Sequence, residues 1–383
     1  MSDMPTIYFD NSATTKPYPE VIDTITRMLA EVYGNPSSLH QLGKESKHEV
    51  ERARKIIADS LGVKPDEIYF TSGGTEADNL AIKGACLANA HLGKHIVTTE
   101  VEHPAVTKTI RDLKKQGWKV SYIPALNGVL DLEELEHSIR QDTVLVSAML
   151  VQNETGAIFP VHEIKNIIEK KASPALLHCD AVQGFGKLPF TAGSLGADLI
   201  SMSGHKLHGP KGIGALYVKK GTAIFSNILG GGQERGLRSG TENTAFIAGF
   251  GQAFRITFSN IGKTMDYIAE LRNYCLEQIE ERLPQAVINS SRQGALHIVN
   301  LSMPGHYNKN IVEQLDALGI YISSAAACKS NHSRGPSVLE SLGLSREMAN
   351  SAIRISFSHE NTKDEVDILI EELARLYSKS PSS

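Results

Sequence analysis

Lys206 is a side chain whose type and surroundings point to chemistry. It follows Ser203 and His205, directly after the short apolar run 197–202, which is typical of a β-strand. A Gly-Pro-Lys-Gly turn at 209–212 comes next. A lysine between a hydroxyl and an imidazole, at the junction of a strand and a loop, is well placed to form a Schiff base with an aldehyde cofactor. Taken alone, Lys206 is more simply explained as a solvated surface lysine beside turn glycines.

Asp180 is a second group that points to the same chemistry. It ends the apolar run 176–180, the strand-like segment that comes before the one preceding Lys206. In a parallel sheet the carboxyl ends of such strands meet at one edge, so Asp180 and Lys206 are expected to lie close together. Pyridoxal phosphate requires an acid against its pyridinium nitrogen as well as a lysine for its aldehyde. The two residues together therefore predict a site for pyridoxal phosphate.

The two segments around these residues resemble a known family. Asp-Ala-Val-Gln at 180–183, followed by Ser-Gly-His-Lys-Leu-His-Gly-Pro-Lys-Gly at 203–212, is similar to the fold-type I pyridoxal enzymes of the class V aminotransferase group. Within that group the chain resembles the NifS/IscS-like cysteine desulfurases, with motif matches from residue 8 to residue 357. The resemblance implies a pyridoxal-phosphate-dependent enzyme that converts L-cysteine to L-alanine and keeps the sulfur as a persulfide.

A glycine-rich segment supplies a candidate phosphate site. Thr-Ser-Gly-Gly-Thr at 71–75 follows an apolar run and opens a predicted helix, and a helix N-terminus favours an anion. By itself this pattern is explained equally well by an ordinary strand, turn and helix cap. The resemblance implies that Gly74 and Thr75, with Ser203 and His205, hold the cofactor phosphate.

The resemblance also implies further cofactor contacts. His103, in Glu-His-Pro-Ala-Val at 102–106, would stack on the ring and move protons, although a lone loop histidine is more often structural. Gln183 corresponds to a glutamine that contacts the phenolic oxygen. Thr241 follows a glycine-rich loop and corresponds to a threonine that contacts the phosphate of the partner's cofactor, which implies a homodimer. Without the resemblance, that segment is simply a flexible loop.

Recognition of the amino-acid substrate is assigned by the same resemblance. Arg354 lies in Ile-Arg-Ile-Ser at 353–356 and would pair with the substrate carboxylate, which a guanidinium can bind bidentately. A strand arginine is otherwise most often a solvated charge. Asn153 would contact both the substrate carboxylate and the cofactor ring, and Asn11 and Asn35 are candidate contacts at the rim of the site.

Cys328 is the candidate sulfur acceptor among the four cysteines of the chain. It lies in a polar stretch of small residues typical of a loop, where Lys329, His332 and Arg334 would favour the thiolate if they approach it. In isolation it is more simply an incidental loop cysteine. The segment resembles the catalytic loop of the desulfurases, but Ala-Ala-Ala precedes the cysteine where the family has Ser-Gly-Ser-Ala. This difference bears on the identity of the acceptor more than on the reaction.

Composition describes an ordinary globular protein. The 383 residues are 41% hydrophobic and 21% charged, with a formal net charge of −4. The basic residues are dispersed, which argues against nucleic-acid binding. No apolar run is long enough to span a membrane, and no secretory signal is apparent. We therefore expect a cytoplasmic protein. The cysteines form no Cys-x-x-Cys pair, so neither a zinc site nor a disulfide framework is expected.

The predicted fold class is α/β. Strand-like runs at 67–70, 95–99, 119–123, 143–150, 175–179, 198–202 and 213–218 alternate with helical patterns at 75–91, 104–116, 131–139 and 161–171. This alternation predicts a mostly parallel sheet covered by helices, as in fold-type I enzymes. A long helix at 262–283, strands at 295–302, 319–322 and 352–357 and a last helix at 363–377 predict a smaller α+β domain. We expect a large cofactor domain at 16–258 and a small domain at 1–15 plus 259–383 that bears the cysteine loop.

Two alternatives to a desulfurase remain open. A selenocysteine lyase or an aminotransferase of the same family would not need Cys328, and a scaffold protein would retain the fold without the cofactor. The sequence does not identify the protein that accepts the sulfur, for which an iron–sulfur scaffold and a tRNA-thiolation protein are both candidates.

Overall fold

The computed structural model describes residues 6–324 and 337–378. The strands in these ranges, numbered along the chain, are β1 Ile7–Tyr8, β2 Ile68–Thr71, β3 His95–Thr99, β4 Lys119–Ile123, β5 Thr143–Met149, β6 Leu176–Asp180, β7 Leu199–Ser203, β8 Gly214–Val218, β9 Val287–Ile288, β10 Ile298–Ser302, β11 Ile320–Tyr321, β12 Ser323–Ser324 and β13 Ala352–Ser356. The helices are α1 Pro19–Ala30, α2 Gln41–Leu61, α3 Gly74–Ala88, α4 Pro104–Lys115, α5 Leu132–Ser138, α6 Val161–Lys170, α7 Ala192–Leu195, α8 Thr244–Ser259, α9 Ile261–Arg282, α10 Asn308–Asp316, α11 Val338–Ser341, α12 Arg346–Asn350 and α13 Lys363–Ser378.

A seven-stranded sheet forms the centre of the molecule, in the order β2-β8-β7-β6-β5-β3-β4. Strands β7, β6, β5, β3 and β4 pair in parallel, and β8 is antiparallel to both of its neighbours, β2 and β7. The reversal at β8 follows from the short connection 204–213, because a parallel crossover needs a dozen or more residues. The prediction of a mostly parallel sheet flanked by helices is confirmed.

Alternate side chains of the central strands pack into two separate apolar layers. Ile96, Leu145 and Leu199 belong to a cluster with α3 and α4. Their chain neighbours Val97, Val146 and Ile200 belong to a second cluster, with α2, α6 and α8. Because successive strand residues point to opposite faces, both faces of the sheet are covered by helices, which is why these strands are apolar throughout.

The second half of the chain builds a smaller sheet with the antiparallel order β12-β13-β10-β9. Its apolar side chains pack with those of α9 and α13 in a third cluster. The first strand, β1, pairs in parallel with β11, so the start of the described chain belongs to this layer. The domain boundary at residue 258 stays a prediction.

No helix in residues 6–324 or 337–378 combines the length and the apolar character that crossing a bilayer requires.

Candidate active site

A cavity of about 570 Å³ opens where three parallel strands of the large sheet end. Met149, Asp180 and Ser203 are the last residues of β5, β6 and β7, and all three line it. Ser12 and Arg354, from the layer of the smaller sheet, line it as well. The cavity is therefore built from the beginning, the middle and the end of the described chain.

Lys206 lies in the single 3₁₀ turn Gly204–Lys206 that follows β7. Its Nζ donates hydrogen bonds of 2.7 Å to the carbonyl oxygens of Ser12 and Ala13. The pKa of Lys206 is lowered from 10.5 to about 8, mainly by burial and in smaller part by Arg354, while nearby acids oppose the shift. A lysine of this kind has a substantial neutral fraction near neutral pH, which is the form that attacks an aldehyde.

Asp180 faces the cavity beside a second buried acid. Oxygen atoms of Asp180 and Asp78 and a ring nitrogen of His103 all lie within 4.8 Å of one another. The pKa of Asp180 is raised to about 6, mainly by burial and in smaller part by the neighbouring Asp78, whereas His103 opposes the shift. A protonated heterocyclic nitrogen placed against Asp180 would hold this carboxylate in its charged form.

The start of α3 fits a phosphate. The helix begins after Gly73 without a hydrogen bond from a capping side chain, so its first backbone N–H groups have no such partner. A Cβ atom on Gly74 would lie 2.8 Å from Cγ2 of Val182, so the backbone approaches this wall closely. Thr75, Ser203 and His205 line the same part of the cavity. An uncapped helix N-terminus beside hydroxyl groups is a favourable environment for an anion.

Arg354 reaches the cavity from the middle of β13. Its guanidinium donates to the carbonyl oxygen of Asn153 at 2.9 Å and to Oδ1 of Asp10 at 3.0 Å, and it lies 3.3 Å from Oε1 of Glu154. Its Nε is buried without a hydrogen-bond partner among the described residues. Burial raises the pKa of Glu154 to about 7, although Arg354 opposes the shift. The arginine is thus held by two acids, one of which is easily protonated.

Three further predicted residues line the cavity. His103 is the N-cap of α4, where its Nδ1 accepts from the backbone N–H of Ala105 at 3.1 Å, and burial lowers its pKa. Nδ2 of Asn153 donates to Glu154 at 2.7 Å. Nε2 of Gln183 donates to the Ser12 carbonyl at 2.8 Å. All three have polar atoms that can be shared with a ligand.

Among the described residues, three predicted site residues do not line the cavity of the single chain: Asn11, Asn35 and Thr241. Asn11 is buried, and its Nδ2 donates to the backbone of Tyr8 and Ser356 and to Asn361. Asn35 and Thr241 are exposed, and Thr241 was expected to act across a dimer. Cys328 lies outside the described residues. The amide of Asn11 connects the N-terminal segment to β13, which is a structural task.

The sequence analysis did not single out Asp10, Asp78 or Glu154. Asp10 and Glu154 are chain neighbours of the predicted residues Asn11 and Asn153, but their use as partners of Arg354 depends on contacts between distant parts of the chain. Asp78 lies in the first turns of α3 and is 1% exposed, which the pattern of that helix does not reveal.

Three of the four cysteines are described, and each is a free, buried thiol: Cys86, Cys179 and Cys275. Burial raises the pKa of each of these thiols, to about 12 for Cys275. Such groups stay protonated and are poor nucleophiles.

Comparison with known proteins agrees with this geometry. Residues 7–369 match the family model described as Aminotransferase class-V. A cysteine desulfurase IscS from Dictyoglomus turgidum is 39% identical over 375 residues, which are 97% of this chain and 95% of the relative. A solved NifS-like protein superposes with a TM-score of 0.92 at 38% identity, covering 98% of this chain and all of the other. A solved chain described as SspA in complex with cysteine has a TM-score of 0.80 at 32% identity and covers 93% of this chain and all of its own. The chain belongs to the class V aminotransferase family and, within it, to the NifS/IscS-like cysteine desulfurases.

Proposed function

We propose that this protein is a pyridoxal-phosphate-dependent cysteine desulfurase. It converts L-cysteine to L-alanine and retains the sulfur on Cys328 as a persulfide. The observation that carries the proposal is the convergence of Lys206, Asp180 and Arg354 on one cavity. Relatives named cysteine desulfurase, and a related chain solved with cysteine, support the choice of substrate.

The cofactor would be held by residues already described. Lys206 would bind its aldehyde and Asp180 its ring nitrogen, and the other contacts would come from Gly74, Thr75, His103, Asn153, Gln183, Ser203 and His205, with Thr241 of a second subunit. When bound, pyridoxal phosphate supplies an electron sink for bonds at the α-carbon of an amino acid. The uncapped start of α3 and the buried carboxyl of Asp180 both fit this group.

The protein's own side chains then have distinct tasks. Arg354 would bind the substrate carboxylate with its planar guanidinium, which also contacts Asp10 and Glu154. Lys206, with a pKa of about 8, would take a proton from the substrate α-carbon and return it. Asp180 would keep a positive charge on the ring nitrogen, and His103 would stack on the ring and move protons.

Cys328 would accept the sulfur as a thiolate. Its Sγ attacks the substrate sulfur, a new S–S bond forms, and the C–S bond breaks with its electron pair left on carbon. A proton then completes the alanine, so one thiol and one cysteine give one persulfide and one alanine. The other three thiols are buried and protonated, which makes them unsuited to this role.

Sulfide release from L-cysteine in the presence of a reducing thiol tests this proposal. Wild type should release sulfide, Cys328→Ala should release none, and the control Cys275→Ala should match wild type. The visible absorption of the bound cofactor should be the same in all three proteins. Equal sulfide release from wild type and Cys328→Ala would contradict the persulfide mechanism and favour a lyase or an aminotransferase of the same family.

We further propose that the protein is a cytoplasmic homodimer that passes sulfur to an acceptor protein, either an iron–sulfur scaffold or a tRNA-thiolation protein. Large apolar side chains that are mostly exposed in the single chain, such as Leu39 at 89% and Leu229 at 86%, support a subunit contact. Light scattering on the purified protein should give twice the chain mass. A monomer at micromolar concentration would contradict the dimer.

A further inference from the structure

Gln183 has hydrogen-bond partners that fix the orientation of its side-chain amide. Its Nε2 donates to the Ser12 carbonyl at 2.8 Å, and a carbonyl can only accept. Its Oε1 lies 3.2 Å from Nζ of Lys187, which can only donate while it is charged. Reversal of the amide would place donor against donor and acceptor against acceptor. The contacts therefore determine which end of the amide is the donor.

The second partner of Oε1 comes from the smaller sheet. Nε2 of His297, the residue before β10, lies 3.4 Å from Oε1 of Gln183. His297 is fully buried, and burial lowers its pKa well below 6.5, so the ring is neutral and donates from Nε2. Both lone pairs of Oε1 are then occupied. The second hydrogen of Nε2 is then the group of the Gln183 amide that is left to form a hydrogen bond toward the cavity.

Lys187 is an unusual residue to bury. It is 8% exposed, and Oε1 of Gln183 is its hydrogen-bond partner in the described part of the chain, with no carboxylate in an ion pair. The pKa of Lys187 is lowered to about 7, mainly by burial and in smaller part by Lys206 and Arg354. Burying an amine without an acid costs stability, and an apolar side chain would fill the same space more favourably. Stability alone therefore does not explain a lysine here.

We infer that Lys187 and His297 are positioning residues that hold Gln183 as a hydrogen-bond donor toward the cofactor. The inference rests on the proposed function, in which Gln183 meets the phenolic oxygen of pyridoxal phosphate. A fixed donor stabilises the negative charge on that oxygen and lowers the pH at which the Lys206–cofactor linkage loses its proton. The Ser12 carbonyl accepts hydrogen bonds from both Gln183 and Lys206, so one backbone group positions both of these side chains.

The test is a pH titration of the visible absorption of the holo-protein. Lys187→Met removes the donor, and we expect the titration midpoint to rise by about one pH unit, the equivalent of one lost hydrogen bond to a charged oxygen. His297→Leu removes a neutral donor and should shift the midpoint in the same direction by a smaller amount. Because His297 is uncharged, a shift of the midpoint in His297→Leu cannot come from the loss of a nearby charge. It would therefore report a change in the orientation of Gln183.

Two controls make the outcomes distinct. Lys187→Gln keeps a neutral donor and should retain the wild-type midpoint. Lys165→Met removes a partly buried lysine that pairs with Asp198 outside the cavity, and it should leave the midpoint unchanged. Wild-type midpoints in both Lys187→Met and His297→Leu would overturn the inference and leave the proposed function intact. If Lys187→Met does not fold, His297→Leu decides the question, and a wild-type midpoint in that variant would overturn the inference. Failure of the wild type to take up pyridoxal phosphate would overturn both.

Discussion

The buried ion pair between Arg54 and Glu234 supports a specific prediction about stability. Two hydrogen bonds of 2.8 Å join the guanidinium of Arg54, in α2, to the two carboxylate oxygens of Glu234. The two side chains are 4% and 3% exposed. Oε2 of Glu234 also accepts from the backbone N–H of Phe70 at 2.8 Å, and Arg54 donates to the carbonyl of Ile68. The pair joins α2, β2 and the loop before Arg238.

Glu234→Gln should destabilise the protein by about 3 kcal/mol, the lower end of the usual cost of breaking a buried pair, because the half-exposed Glu51, 3.2 Å from Nε of Arg54, still offsets part of its charge. The amide can accept with one atom only, so Arg54 loses an acceptor in either orientation of the amide, and in one orientation the backbone N–H of Phe70 loses its acceptor too. Arg54→Met should have a cost of similar size, because the Glu234 carboxylate remains buried. In the double variant no lone charge remains, so the two costs should fall short of additivity by about 2–3 kcal/mol.

Equilibrium urea denaturation of the holo-protein, followed by circular dichroism, measures these differences. The matched control is Lys55→Met, one residue along α2, which removes an ion pair with Asp59 whose side chains are 66% and 59% exposed. An exposed pair of this kind contributes about 0.3–0.5 kcal/mol. The reasoning is refuted if Glu234→Gln costs no more than Lys55→Met, or if the two single costs add in the double variant.

Two further predictions concern the cavity. Because burial lowers the pKa of Lys206 to about 8, the neutral amine increases with pH, and the rate of pyridoxal phosphate uptake by the apo-protein should rise up to about pH 8 and then level off. Stopped-flow absorbance measures this rate, and a continued rise toward pH 10.5 would show an ordinary exposed lysine. Arg354→Lys replaces a planar fork with a point charge and should raise KM for L-cysteine roughly 10–100-fold without loss of bound cofactor. An unchanged KM would exclude Arg354 from binding the substrate carboxylate.

The central strands were predictable because they are buried on both faces. The predictions 95–99 and 119–123 coincide with β3 and β4, and the ends of the other strands of the large sheet differ from their predictions by at most one residue. Short apolar runs bounded by turns give a strong signal whenever helices cover both faces of a sheet. The antiparallel direction of β8 is not a property of its own residues, since it follows from the length of the connection before it.

Helices α2 and α8 were missed for physical reasons that the structure reveals. Arg54 occupies a buried position of α2 and interrupts the apolar stripe, because its charge is balanced by Glu234, far along the chain. In α8, Gly249 and Gly251 lower the helix propensity. A Cβ on Gly251 would lie 2.6 Å from Cβ of Ala53, and one on Gly249 would lie 2.7 Å from Ile25, so close helix packing requires both glycines.

The residues of the candidate site also fall into two groups, those that local sequence patterns predict and those that depend on contacts between distant parts of the chain. Lys206, Asp180 and the start of α3 follow local patterns of a strand, a turn and a helix. The acids beside Arg354, and Ser12 and His297 as partners of Gln183, depend on contacts across more than 100 residues. No local pattern encodes such contacts. The prediction for Cys328 remains untested by the described residues.

The hydrogen bonds between the N-terminal segment and β13 have a consequence for biosynthesis. Nδ2 of Asn11 donates to the carbonyl of Ser356, 345 residues away, and the backbone N–H of Ser12 donates to Oγ of the same serine. Ser12 in turn supports Lys206. A nascent chain of which only the large sheet has left the ribosome therefore lacks Arg354. It also lacks Ser356, which holds Asn11 and Ser12 in place. The cavity is completed only after β13 has left the ribosome, so a fully formed site for the cofactor arises after translation of nearly the whole described chain.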